Sequence, residues 1–291
     1  PAEISAVTGE PWNYRNRSQF HVEGREMGYL EAHSHRLCPV AQCPISSPVV
    51  NRTLAVLREM LPERRWPRFL RGIEVFTNEE QVQINVMESA QPVARRFFEW
   101  CAERIPGWTP GALDYHVDGT AYRVSRRSFF QVNRHLAGRL VETALRGAEG
   151  GTALDLYAGV GLFALPMARR FGSVTAVESG SSVAGDLAFN AERAGLAVKT
   201  EQGDVERYLE TLEARPDFVL LDPPRAGIGK HVVRRLAELA PPRLSIVSCD
   251  PSTLARDLAG LVAAGFRLEG LTLVDLFPQT YHLETVARLA R

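Results

Sequence analysis

Two periodicities divide the chain. From about residue 151 onward, short apolar runs alternate with stretches whose apolar positions recur every three to four residues, the pattern of a parallel sheet covered on both faces. The runs predict seven strands, at 152–157, 173–178, 197–201, 217–222, 243–248, 267–274 and 282–289. Helical patterns at 181–194, 205–213, 231–239 and 252–264 fall between the first six. No helix separates the last two strands, so they are expected to pair as an antiparallel hairpin at the end of the sheet. The first 125 residues read differently. Short strand signals at 19–23, 72–76, 81–87, 115–116 and 121–124 flank helical patterns at 48–60 and 92–104, and Asp118-Gly119 is a hairpin turn signal. Residues 129–146 predict an amphipathic helix. The expected organisation is an α+β domain over 1–125, a bridging segment and helix over 126–150, and a sheet domain over 151–291.

Composition narrows the classes. With 291 residues and 45% hydrophobic content, the chain can bury more than one core. No apolar run reaches the ~18 residues of a membrane span, and the first residues carry Arg15 and Arg17 without the apolar core of a signal peptide. A cytoplasmic protein with no membrane contact and no obligate protein partner is expected. Cys38, Cys43, Cys101 and Cys249 are too few and too irregular for a disulfide scaffold. The net charge is zero, yet Lys199 and Lys230 are the only lysines, so almost all positive charge is arginine, the better fork for phosphate. In Arg64-Arg65-Trp66-Pro67-Arg68-Phe69-Leu70-Arg71 it is interleaved with aromatics, as in single-strand nucleic-acid binders. A solvated helix face is the competing explanation.

Candidate chemistry sits at the strand ends. Leu244 to Ser248 leads directly into Cys249-Asp250-Pro251 at a loop–helix junction, where unpaired N–H groups are expected to lower a thiol's pKa and favour thiolate. The alternative is an inert buried cysteine. Asp155-Leu156-Tyr157-Ala158-Gly159-Val160-Gly161-Leu162-Phe163 forms a strand, a glycine turn and a helix start, where backbone approaches a ligand closely. The same glycines satisfy a loose dinucleotide fingerprint, so a nicotinamide enzyme competes. Asp155 argues against it, because a carboxylate there would meet an amino-acid ammonium and repel a pyrophosphate. Glu178 is placed for ribose hydroxyls and Asp204 for an adenine amino group. Together these suggest S-adenosylmethionine, and with the terminal hairpin they define an α/β, class I (Rossmann-like) methyltransferase seven-stranded sheet with an N-terminal α+β domain. Asp222-Pro223-Pro224-Arg225 is a stiff turn suited to holding a planar ring. Arg225 stands where amino-methylating enzymes carry an aromatic, so Asp222 is expected to accept a uracil N3–H or to meet the cofactor.

The chain resembles the RNA uracil-C5 methyltransferase family, which makes 5-methyluridine in tRNA and ribosomal RNA. The matching pieces run in order: Tyr14-Arg15-Asn16-Arg17, Ser128 to Asn133, Asp155 to Phe163, Asp222 to Gly227, Ser248 to Asp257, and Asp275 to Glu284. The resemblance implies that Cys249 is the nucleophile and Glu284 the base that allows β-elimination. It also implies that Gln131, Tyr157, Gly159, Gly161, Leu162, Glu178, Asp204 and Asp222 contact the cofactor or the uracil pocket. Leu162 replaces a polar residue of some members and offers only backbone and packing. Phe130, Arg126 and Arg127, with the 64–71 cluster, are expected to face RNA, and the target nucleotide to be flipped out of its stack. The N-terminal TRAM module of many relatives is not evident. An iron–sulfur cluster is not supported by this chain: Cys43-Pro44-Ile45 matches one of four cysteines in some ribosomal-RNA members, and the other three would lie upstream of Pro1. That match favours ribosomal RNA over tRNA. No metal site is expected, although His33, His35, Cys38 and Cys43 leave a zinc alternative. A 5-methylcytosine RNA methyltransferase and a non-catalytic RNA-binding factor remain competing readings.

Overall fold

The computed structural model describes residues 3–291. Strand β1 (Glu3–Val7) precedes β2 (Arg17–Glu23), β3 (Glu26–Leu30), β4 (Leu37–Pro39), α1 (Pro48–Met60), β5 (Leu70–Thr77), β6 (Val82–Ser89) and α2 (Arg95–Arg104). A hairpin of β7 (Leu113–Val117) and β8 (Thr120–Val124) and the short helix α3 (Ala137–Ala144) lead to β9 (Gly150–Leu156) and α4 (Ala164–Met167). The alternating half follows: β10 (Phe171–Glu178), α5 (Ser181–Arg193), β11 (Val198–Gln202), α6 (Val205–Thr211), β12 (Phe218–Leu221) and α7 (Gly229–Leu239). It ends with β13 (Arg243–Ser248), α8 (Pro251–Ala263), β14 (Arg267–Val274) and β15 (Glu284–Ala290).

The continuous apolar runs are buried because both faces of the large sheet are covered, by two separate cores. Its order is β1-β14-β15-β13-β12-β9-β10-β11, with β15 antiparallel to both neighbours, as the missing crossover helix requires. The sheet has eight strands rather than the expected seven. The extra one, β1, adds in parallel to β14 at the edge, with Ser5 and Thr272 hydroxyls 2.9 Å apart. Only Val7 of β1 is buried, so an apolar pattern could not reveal it.

The second body is a five-stranded antiparallel sheet, β4-β3-β2-β5-β6, packed on α1 and α2 around Phe20, Leu54, Leu57, Trp66, Ile73 and Trp100. Helix α1 starts where Ser47 accepts the Val50 N–H and Pro48 presets the first turn. The β7–β8 hairpin turns through Asp118 (φ 46°) and Gly119 (φ 75°), as a two-residue turn with positive φ at both positions demands. Its inward residues Leu113, Tyr115, Tyr122 and Val124 join the core of the large sheet, not that of the small one. The chain therefore does not part cleanly at 125: β1 and the hairpin belong with the large sheet.

The helix expected over 129–146 forms only from Ala137. The preceding residues make tertiary bonds incompatible with a helical ladder. The Val132 carbonyl accepts from the Asn16 N–H (2.9 Å), the Ser128 carbonyl from Arg17 (2.9 Å), and Asn133 donates to the Leu276 carbonyl (3.1 Å). Buried Asp186 on α5 accepts from the Ser125 N–H (2.7 Å), the Ser125 hydroxyl (2.6 Å) and the Ser128 hydroxyl (2.9 Å). Asn190, one turn on, pairs with the Arg123 backbone through both its amide groups. This strap joins the two bodies. Asp186→Ala would strand several buried donors, and a loss of about 2–4 kcal/mol is expected. Urea midpoints of Asp186→Ala and the milder Asp186→Asn against the parent check it; an unchanged midpoint contradicts the strap's role.

Candidate active site

Four functional groups line up along one end of the large sheet, at the carboxyl ends of β9, β12 and β13 and the amino end of the antiparallel β15. Asp155 is in β9, Asp222 follows β12, Cys249 follows β13, and Glu284 opens β15. The antiparallel register pairs Ser248 with Thr285, which sets Cys249 against Glu284. Asp222 donates its N–H to the Leu156 carbonyl (3.2 Å) and so flanks the glycine turn. Register alone thus gathers residues more than a hundred positions apart.

Their electrostatics are unusual. Asp155 is completely buried; neither carboxylate oxygen makes a well-formed hydrogen bond among the described residues, and the Ala164 N–H draws its pKa down only in part. Burial, then the neighbouring Asp222, push it well above the usual carboxylate range. Burial raises Asp222 to about 7. Glu284, 5% exposed, is raised to about 8 by burial and then by Asp222. Among the described residues no cation offsets these shifts.

The Cys249 thiol is raised, not lowered as expected. Burial is the main cause and the Glu284 charge the next, against a downward pull from Arg225. The helix start does not activate it because Asp250 takes the Ser252 and Thr253 N–H groups (3.0 and 2.9 Å), placing a carboxylate where the helix dipole is positive. Cys249 itself is half-buried and so remains reachable.

The loops around the thiol are tied down. Asp257 on α8 accepts the Ile228 N–H (2.8 Å), and Arg256 donates to the Ala226 carbonyl (2.8 Å), which fixes the turn after Pro223-Pro224. Arg225 reaches the His282 ring (3.3 Å), whose pKa is lowered by burial and then by Arg225 and Arg15. The 275–283 loop is pinned by Tyr14 donating to the Pro278 carbonyl (2.9 Å) and by Asn133.

At the glycine turn, Gly159 has φ 56° with open space where a side chain would stand, whereas a Cβ at Gly161 would fall 2.7 Å from Leu165 and Leu187. The first leaves room for a ligand; the second is demanded by packing. Glu178 holds the turn by accepting the Gly159 (3.0 Å) and Gly180 (2.8 Å) N–H groups. Asp204 caps α6 through the Arg207 N–H, leaving its other oxygen uncommitted. Tyr157 is half-buried at φ 65°, its hydroxyl raised to about 12 by burial and the nearby Glu206 and Asp204. Leu162 is buried and its carbonyl accepts from Tyr122 (3.3 Å). Gln131 is buried in the strap, its carbonyl accepting from Asn16.

The residues expected to face RNA divide between core and surface. Phe130 is 2% exposed, packed between Tyr115 (4.8 Å) and Tyr122 (5.7 Å); its neighbour Phe129 is the exposed ring. Arg126 donates to the Ile84 carbonyl and covers Phe98. Arg127 is exposed. In the 64–71 cluster, Trp66 and Leu70 are core residues, Arg65 pairs with Glu103, Arg68 caps carbonyls at the end of α1, and Phe69 is half-buried. Among the described residues no three His, Cys, Asp or Glu side chains assemble for a metal, with Cys38 exposed and Cys43 buried. Asp186 and Asn190 escaped the sequence reading, though two polar residues four apart on an apolar helix face were a signal.

Residues 206–291, which contain both Cys249 and Glu284, match the family model described as tRNA (Uracil-5-)-methyltransferase. Two curated relatives named 23S rRNA (uracil(1939)-C(5))-methyltransferase RlmD cover 99% of this chain and 67% of their own length: that of Halomonas elongata is 32% identical, that of Chromohalobacter salexigens 34%. The chain belongs to the RNA uracil-C5 methyltransferase family. The fold of the family is also that of the Pyrococcus abyssi tRNA (uracil-54, C5)-methyltransferase in complex with S-adenosyl-L-homocysteine, with a TM-score of 0.84 at 24% identity over 99% of this chain and 79% of that one. Among the described residues no helix is long and apolar enough to cross a membrane.

For a member of this family the raised carboxyls have a measurable consequence. A carboxyl whose pKa rises on folding binds more protons when folded, so its stabilising contribution is full below the unfolded value near 4 and is lost as pH rises through the folded values of about 7 and 8. The ligand-free protein should therefore unfold at lower urea concentration at pH 8.5 than at pH 6, and Glu284→Gln should shrink the difference. Urea titrations across that range check it; an unchanged pH dependence in Glu284→Gln contradicts the account.

Proposed function

We propose that this protein methylates C5 of a uridine in RNA, of the 23S ribosomal class, with Cys249 as nucleophile and Glu284 as base. The observation that carries the reading is the pairing of β13 with β15, which sets a reachable thiol against a buried carboxyl. The names of the two relatives and the Cys43-Pro44-Ile45 match support the ribosomal substrate.

The cofactor of this reading is S-adenosylmethionine, and the residues present fit it. Asp155 is an orphaned buried carboxyl beside the open space at Gly159, and a cluster of carboxyls lacking any cation suits a ligand carrying an ammonium and a sulfonium. Asp155, Tyr157, Gly159, Gly161, Glu178 and Asp204 would hold it along the glycine turn, with the Leu162 backbone and Gln131 nearby. When bound, it supplies an electrophilic methyl group.

Uracil C5 is too weak a nucleophile to take that methyl unaided. The Cys249 sulfur forms a bond to C6, and the C5=C6 electron pair moves toward O4, which makes C5 an enolate carbon. Arg225 favours this step by drawing the thiol's pKa down. Once C5 carries both methyl and hydrogen, the Glu284 carboxylate removes that proton; the C–H electron pair re-forms C5=C6 and the C6–S bond breaks, returning the thiolate. Glu284, raised to about 8, is largely protonated at neutral pH in the ligand-free protein. A cation entering the site lowers it, so the base is ready only in the loaded enzyme. Asp222, between the glycine turn and Cys249, is placed to accept the uracil N3–H. The target atom is unreachable in stacked RNA, so the base is flipped at a cost of about a few kcal/mol.

The test is methylation of 23S rRNA and tRNA from cells lacking uracil-C5 methylation, with 5-methyluridine quantified by nucleoside mass spectrometry and tritium release followed from C5-labelled uridine or cytidine RNA. Product in 23S rRNA, uridine-dependent tritium release and at least a thousandfold loss in Cys249→Ala are expected. Release from cytidine would instead favour a 5-methylcytosine enzyme, and product undiminished in Cys249→Ala would remove the nucleophile.

A further inference from the structure

On the small sheet, a groove of about 810 Å³ opens beside the strap, and the reaction proposed above does not use it. Its floor holds Arg17, whose side chain is only 9% exposed. The guanidinium lies 3.9 Å from the centre of the Phe76 ring and donates one bond, to the Ser128 carbonyl; its Nε and Nη2 have no partner among the described residues. Glu74 stands 3.8 Å away, itself accepting bonds from Gln19 and Asn85. Burial lowers the Arg17 pKa, and Glu74 offsets this only in part. The two unpartnered nitrogens are closed off from solvent, so the buried guanidinium acts on the groove through its positive potential.

The walls supply the rest of a binding site. Arg15 and Arg127 add two more guanidiniums, so the groove carries three arginines against one carboxylate. The Phe129 ring is 58% exposed on one side and Met87 46% exposed, unusual for large apolar side chains flanking a cationic floor. Positive charge beneath and an exposed ring beside it match a nucleotide, phosphate down and base stacked on the ring. The position fits as well. Arg15 is close enough to His282 to lower its pKa, and His282 touches Arg225 at the thiol's rim, so the groove runs toward the reaction centre.

We propose that this groove is a subsite for a nucleotide of the RNA strand next to the target uridine, its phosphodiester held by Arg127 and Arg15 above Arg17 and its base stacked on Phe129. The proposal rests on RNA being the substrate. Arg127 and Phe129 are the residues to change first, since both are at the surface and their loss leaves the core intact; Arg17→Lys is a third variant that keeps the charge and removes the fork.

Binding of a fluorescein-labelled single-stranded RNA oligonucleotide is measured by anisotropy over a salt series, without cofactor, so that the readout does not depend on turnover. Arg127→Ala should weaken binding about tenfold and reduce the slope of log affinity against log salt by about 0.7, the value for one single-strand phosphate contact. Phe129→Ala should weaken binding by about tenfold with the slope unchanged, and Phe129→Trp should restore it. Arg234→Ala, on the outer face of α7, controls for general loss of charge and should stay within about twofold of the parent. Affinities of the Arg127 and Phe129 variants equal to that of the Arg234 control would overturn the subsite. Loss of binding in them together with no 5-methyluridine from the parent enzyme would leave the subsite standing and the proposed reaction refuted.

Discussion

Three carboxyls gathered at one end of the large sheet, each harder to ionise than usual, are the constraint around which the molecule is organised. Asp155 and Asp222 lie at the ends of adjacent strands β9 and β12, Glu284 at the end of β15 beyond β13, each displaced upward by burial with no cation among the described residues offsetting it. A protein gains nothing in stability from such an arrangement, because buried carboxyls without partners are destabilising whichever way they titrate. Natural cores avoid it. The cluster is accounted for when the missing positive charge arrives with a ligand, and the open space at Gly159 beside Asp155 is where that ligand fits.

Holding such a cluster in place requires rigid surroundings, and the buried polar strap over residues 125–133 provides them. Arg17, Asn16 and Tyr14 reach from the small sheet to the strap and to the 275–283 loop, while Asp186 and Asn190 fasten the strap to α5. The same bonds displace the helix that the local sequence favours. They also bring Phe129, Arg127 and Arg15 to the surface between the small sheet and the thiol's rim. One set of contacts thus joins the two bodies and shapes the approach to the reaction centre.

The legibility of the sequence followed from where each signal resides. Helix α1 ran over Pro48–Met60 as expected, because its cap and apolar spacing are local; β13 had the expected bounds because it is a nearly continuous buried run, and β14 because its buried positions alternate. Strands β1, β3 and β4 were missed: β1 and β4 are short, mostly solvent-facing edge strands, and β3 buries only Met27 and Gly28, too few to show a pattern. The motifs singled out Cys249 and Glu284, but their adjacency exists only in the β13–β15 register. The thiol's pKa differs from the expectation because burial and the facing Glu284, neither visible in the local sequence, outweigh the helix start. Phe130 and Phe129 differ by one position, and only the pleat of the strap decides which ring is buried.

The claim on which the functional account turns is that Cys249 bonds to the substrate ring and Glu284 releases it. The most direct measurement mixes Glu284→Gln with S-adenosylmethionine and unmethylated RNA, resolves the products by denaturing electrophoresis, and maps any adduct by peptide mass spectrometry. The account predicts a stable protein–RNA adduct joined at Cys249 and carrying the transferred methyl group, since addition and transfer proceed while elimination stalls. Normal turnover by Glu284→Gln without an adduct would contradict it, as would an adduct joined at any residue other than Cys249.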